Sequence, residues 1–232
     1  MGPKATDTTA MSDARAAILA GIRASLARGP LAAAGRDALD ARVGGPPDAE
    51  RAPADREGRV ALFRDKAEAV SATTARIASL DELPGAVSDY LAAQNLPSAI
   101  LATPDPLLDG APWDTQPLLA LKRGVPGIDD LVGLTCAHGG VAETGSLVMW
   151  HDKNNPHSAS FVPETNIVVL PASRVVGSLE EVWPEVRAAA TPPRALCFVT
   201  GPSRTGDIGL RIELGAHGPR RLHVVIVDDV ET

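Results

Sequence analysis

A chain of 232 residues with 44% hydrophobic side chains is long enough to bury one substantial core and short for two. Its formal charge of −7 and its scattered Lys and Arg argue against a nucleic-acid partner, which needs basic residues massed on one surface. Only Cys136 and Cys197 are present, with no CxxC spacing, so the chain alone falls short of the roughly four thiolates of an iron–sulfur cluster or an all-cysteine zinc site. Sparse cysteine, an amino terminus without a signal-peptide apolar region, and no run of about 18 apolar residues predict a soluble cytoplasmic protein with no membrane insertion.

In chain order, Ser12 is placed to cap a helix whose Ile18, Leu19, Ile22 and Leu26 form one stripe, stopped by Gly29 and Pro30. From Gly29 to about Arg56 the chain turns to Gly, Pro, Ala and mixed charge, too apolar-poor to offset ordering entropy. Residues 1–56 are therefore expected to be a leader helix and flexible linker, with a folded domain over 57–232. Val60, Phe63, Ala67 and Val70 follow helical spacing, the segment ATTARIAS alternates as a strand, and Leu83, Val87 and Leu91 describe the next helix. SAILA, Pro117 to Leu121 and DLVGLTCA read as strands, as do SLVMW, NIVVLPAS, RALCFVT and RLHVVIV. Ser178 and Glu181 form a capping box opening a further helix. Some strands lie too close together for a crossover helix, which predicts a three-layer α/β/α domain built on one mixed sheet. There is no internal repeat, and no dinucleotide or Walker A fingerprint.

Two segments gather polar side chains where strands end: GLTCAHGGVAETGS, from Gly133 to Ser146, and GPSRTGDI, from Gly201 to Ile208. Together with SASFVPETNIVVLPASRVV and the tail that runs through GAHGP to VVIVD, they resemble the lactate utilization protein C family, also called the LUD-domain family. The resemblance spans roughly Gly133 to Asp228; Gly206 departs from it, standing where the family usually has Ala. It implies a fold of the glucosamine-phosphate isomerase, ribose-phosphate isomerase and CoA-transferase type (NagB/RpiA/CoA-transferase-like). It also implies a role in oxidising L-lactate to pyruvate alongside two cysteine-rich iron–sulfur proteins, which would carry the redox centres, with no cofactor in this chain.

Glu143, ringed by glycines, is the candidate catalytic residue, since a similar loop in CoA-transferases carries a nucleophilic Glu; the competing reading is a carboxylate that fixes its own loop. Thr144, Gly145, Ser146, Ser203, Arg204, Thr205 and Asp207 are the candidate binding set for a small carboxylate or phosphate, with Arg204 as the planar fork and an Arg204–Asp207 brace as its structural alternative. No His or Cys pair shows a recognised ligand spacing, so no metal is expected. Besides the accessory role, a freestanding CoA-transferase-like or sugar-phosphate isomerase-like enzyme and a small-anion-binding scaffold stay open.

Overall fold

The computed structural model describes residues 8–27, 29, 31–43, 52–205 and 213–228. The chain divides into two compact units, Met1–Asp48 and Ala49–Thr232. The first holds helices α1 (Thr8–Leu26) and α2 (Ala33–Val43). Helix α1 starts ahead of Ser12, correcting the predicted cap; Asp7, Thr8, Thr9, Ser12 and Asp13 all carry capping side chains, and composition does not choose among them. Helix α2 lies inside the predicted linker, where AAGRDALDARV combines good helix formers with almost no apolar stripe. Among the described residues no helix is long and apolar enough to cross a membrane.

The second unit runs through α3 (Arg56–Ala69), β1 (Thr73–Ile77), α4 (Leu83–Ala93), β2 (Ala99–Ala102), the short α5 (Pro106–Asp109), β3 (Ala120–Arg123) and β4 (Val132–Cys136). It continues with β5 (Gly139–Val141), β6 (Ser146–His151), α6 (His157–Phe161), β7 (Thr165–Pro171) and β8 (Val175–Val176). A 3-10 turn (Leu179–Val182), opened by the predicted Ser178–Glu181 capping box, leads into α7 (Trp183–Ala188). Strands β9 (Ala195–Val199), β10 (Arg204–Thr205), β11 (Glu213–Leu214) and β12 (Arg221–Val227) complete it.

In place of the predicted single mixed sheet, the described residues form two larger sheets and a two-stranded β10-β11 ribbon. Six strands form an all-parallel sheet in the order β1-β12-β7-β4-β2-β3, and β8-β5-β6-β9 form a separate four-stranded mixed sheet in which β5–β6 and β6–β9 are antiparallel and β5–β8 parallel. The crowded strand signals after Cys136 belong to that second sheet, so no crossover helix is required there. Period-2 alternation sorts the core. Ile167, Val169, Val225 and Val227 face α4 and its neighbours, while Val168, Leu170, Val224 and Ile226 face α3 and the second sheet. Strand β7 is buried throughout because it is covered on both faces, which is why it reads as a continuous apolar run. The outer face of the second sheet packs Val141 and Val148 against Val182 and its helical neighbours. Gly140 permits the close layer contact: a Cβ there would lie 3.0 Å from both Leu170 and Phe63.

Candidate functional site

Strands β4 and β7 both leave the parallel sheet at their carboxyl ends and pass into the second sheet. Ala137 N still donates to Val169 O of the first sheet at 2.9 Å, while His138 N donates to Val148 O of the second at 2.8 Å. Beyond β7, a 3-10 turn (Ala172–Arg174) carries the chain into β8 beside β5. The two handovers leave a crevice of about 320 Å³ whose lining includes Asp105, Cys136, His138, Trp150, Asn155 and Arg174. A crevice outside the carboxyl ends of parallel strands is where α/β folds bind ligands.

Arg174 is anchored through one nitrogen. Its Nη1 donates to His138 O at 3.2 Å and lies 3.4 Å from His138 Nδ1, so Nε and Nη2 have no hydrogen-bond partner among the described residues. Because a guanidinium only donates, Nδ1 of His138 faces it as the acceptor; Nε2 lies 3.0 Å from Glu185 Oε1 without making a hydrogen bond to it. The imidazole also lies against Trp150, with ring centroids 4.6 Å apart. Asn155 is buried and ties the floor together, its Nδ2 donating to Cys136 O at 2.8 Å. The turn that presents it is closed by Asp152, whose Oδ1 accepts from the backbone N of Asn154 at 2.7 Å and of Asn155 at 2.9 Å. Burial pushes the Cys136 thiol well above its ordinary range and the neighbouring Asp105 carboxylate adds to the rise, so this sulfur stays protonated at neutral pH. Asp105 itself spends Oδ1 on the N-terminus of α5, accepting from Leu107 N at 3.0 Å. Chemically the crevice offers a half-engaged planar cation, an imidazole and an apolar ring, without an activated thiol.

The motif residues lie elsewhere. Glu143 Oε1 accepts from Leu179 N at 3.1 Å and so caps the 3-10 turn before α7. Thr144 Oγ1 and Ser146 Oγ are 2.7 Å apart, and Ser146 Oγ is 2.6 Å from Thr200 Oγ1, a hydroxyl chain that joins the A-E-T-G-S loop to the residue preceding G-P-S-R-T. Both loops converge on the carboxyl end of α3. Gly145, at φ +67°, packs so closely that a Cβ would fall 2.7 Å from the Lys66 carbonyl carbon, and Arg204 Nη2 donates to Val70 O at 3.0 Å and bonds Ser71 Oγ. Arg204 thereby supplies a donor to a helix end rich in orphan carbonyls. Ser203 N donates to Pro219 O at 2.9 Å, Thr205 is buried, and Asp207 lies outside the described residues. Ser203 and Arg204 line a second cavity of about 260 Å³ with Phe161, Phe198 and His217, but Glu143 and Thr144 do not border it.

Residues 128–227 match the family model described as LUD domain. The chain is 31% identical over 102 residues to lactate utilization protein C of Macrococcus caseolyticus, 32% over 102 residues to lactate utilization protein C 1 of Bacillus mycoides, and 30% over 102 residues to the Bacillus subtilis protein of the first name. The match to the Macrococcus protein covers 42% of this chain and 44% of that one, so the chain spans under half the length of the curated relative. A crystal structure of a DUF162 family protein from Deinococcus radiodurans shares the fold, with a TM-score of 0.58 and 23% identity over 75% of this chain and 99% of that one. The matched stretch contributes Cys136, His138, Trp150, Asn155 and Arg174 to the crevice, whereas Asp105 comes from the strand β2 side. His138 stands in the segment from Gly133 to Ser146 that gathers polar side chains where strands end, and Asn155 sits in an Asn-Asn-Pro run that signals a turn. Arg174 carried no local signal, because a lone Arg after a buried strand acquires its role only from the handover beside it.

Proposed function

We propose that this protein serves lactate utilisation in the cytoplasm as a component that binds a small hydroxy- or keto-carboxylate, with electron transfer carried by iron–sulfur partner proteins. The observation that carries the reading is Arg174. A guanidinium with two nitrogens unspent, lining a crevice at the carboxyl edge of a parallel sheet, presents the fork that a carboxylate recognises. Two-electron oxidation of a hydroxy acid needs an acceptor, and two cysteines fall short of the roughly four that a cluster asks for, which favours redox centres in other chains. The names of the relatives, lactate utilization protein C, supply the pathway.

Calorimetric titration of the full chain with L-lactate and with pyruvate tests this. Arg174→Ala should weaken binding about tenfold or more, since a hydrogen bond to a charged group contributes about 1.5–3 kcal/mol. Arg204→Ala, which removes a contact to α3, should leave the affinity unchanged. Equal affinity for the Arg174→Ala protein, or loss of binding only in the Arg204→Ala protein, would move the ligand site out of this crevice.

A further inference from the structure

A second set of side chains lies at the rim of the core between the two sheets, and it does not depend on the carboxylate reading. In the register of β6 against β9, Met149 opposes Cys197 and His151 opposes Ala195, so His151 and Cys197 are diagonal neighbours on one face. Leu147 and Met149 of that face belong to the interlayer core, and Cys197 packs at its edge with a free thiol. His157, the first residue of α6, is folded back over His151 by the Asp152–Asn155 turn, with the two imidazole centroids 4.8 Å apart. The potential ligand atoms of His151, His157 and Cys197 all lie within 4.8 Å of one another.

One ring is already oriented. His151 Nδ1 lies 3.2 Å from Asn155 O, and a carbonyl only accepts, so the ring proton is on Nδ1 and the Nε2 lone pair is free. A backbone carbonyl fixing the tautomer of a buried histidine is the outer-shell arrangement common to metal-ligating imidazoles. His151 is 1% exposed, and Nε2 has no hydrogen-bond partner among the described residues. A buried acceptor in that state is costly unless something coordinates it.

We propose that His151 Nε2, His157 and Cys197 Sγ bind a borderline-soft divalent cation, zinc in the first instance, with water in the fourth tetrahedral position on the exposed His157 side. Bond lengths of about 2.0–2.1 Å to nitrogen and about 2.3 Å to sulfur put tetrahedral ligand atoms roughly 3.3–3.8 Å apart, so closure requires a movement of about 1 Å. His157 can supply it, being exposed at the start of a short helix. A thiolate with two imidazoles suits zinc or cobalt better than magnesium or calcium, which prefer oxygen. The bound ion would pin α6 and the preceding turn to the β6–β9 pair.

Titration of tag-free, chelator-stripped full-length protein with Co²⁺ is the direct test. One equivalent should give the intense visible bands of tetrahedral cobalt and a thiolate-to-cobalt charge-transfer band, both bleached by Zn²⁺. Cys197→Ser should abolish the charge-transfer band, and His157→Gln should weaken cobalt binding at least as much as loss of an outer-shell partner does, about 10–100-fold. Both positions are at least partly solvent-facing, and an unchanged thermal transition of the stripped variants shows that they fold. A spectrum like that of aqueous cobalt, or equal binding by the native, Cys197→Ser and His157→Gln proteins, would reduce the cluster to aromatic packing of His151 and His157 on Phe161.

Discussion

His223 illustrates how one side chain couples burial to pH. It lies within β12, its ring stacked on Tyr90 with centroids 3.9 Å apart, and its Nδ1 is 2.8 Å from Thr73 Oγ1. Burial pushes its pKa down to about 4 from an ordinary value of 6.5, against a smaller opposing contribution from Thr73. A histidine with a depressed folded-state pKa is neutral in the native protein while the unfolded chain still binds a proton. Stability is therefore complete above about pH 6.5 and declines as pH falls towards 4, by up to roughly 3 kcal/mol at about 1.4 kcal/mol per unit. Thermal midpoints measured from pH 7.5 down to 4.5 should fall for the native protein and fall less steeply for His223→Phe, which removes the titrating ring. Parallel curves for the two proteins would place the acid sensitivity elsewhere.

At the scale of elements, the end of α3 shows why two loops distant in sequence belong to one structural unit. The helix finishes in a Schellman motif: Ser71 N donates to Glu68 O at 2.9 Å, Ala72 N to Ala67 O at 3.1 Å, and Ser71 adopts φ 73°. Ser71 lacks the conformational freedom that favours glycine at such a site, and its hydroxyl is held by Arg204. Gly145 abuts the same turn from the other side. Gly145→Ala combines a left-handed backbone with a Cβ driven into Lys66 and Ala67, and each of these costs about 1–3 kcal/mol. The expected loss is roughly 3 kcal/mol or more, a drop of at least about 6 °C in the thermal midpoint. Chemical denaturation would check it: a midpoint within error of the native value would show that α3 can shift aside at little cost. In this loop glycine serves close packing: Gly145 lies against Lys66 and Ala67 of a helix, and Gly140 against Leu170 of the neighbouring sheet.

For the whole molecule, the three apolar clusters draw every residue from Ala52 onward, so the unit Ala49–Thr232 carries its own core. Ile18, Ile22 and Leu26 of α1 are each at least half exposed. Removal of residues 1–48 should therefore shift the thermal midpoint of the remaining unit by less than about 2 °C, the effect of a change well under 1 kcal/mol at this chain length. A larger loss would show that the first unit contributes to the second unit's stability.

Local chemistry alone determined a large part of this protein. Period-2 and continuous apolar runs marked β1, β2, β4, β6, β7, β9 and β12, because burial on one or both faces of a sheet imposes those patterns wherever the strand is paired. The α/β class was legible from the alternation of such runs with helical spacing, the capping box at Ser178 because its hydrogen bonds close within four residues, and the motifs between Gly133 and Asp228 resemble the LUD family. Strand partners were not legible. The same apolar run serves a parallel or an antiparallel neighbour, so one mixed sheet is inferred where the strands divide between a parallel six-stranded sheet and a separate four-stranded one. The crevice inherits that limit: Arg174 and His138 meet only because β4 and β7 both cross between sheets at one edge, and Cys197 reaches His151 only through the β6–β9 register. A side chain's chemistry is written in its residue type, but which partners it meets depends on strand order, and strand order is settled by the packing of layers that no local stretch of the chain contains.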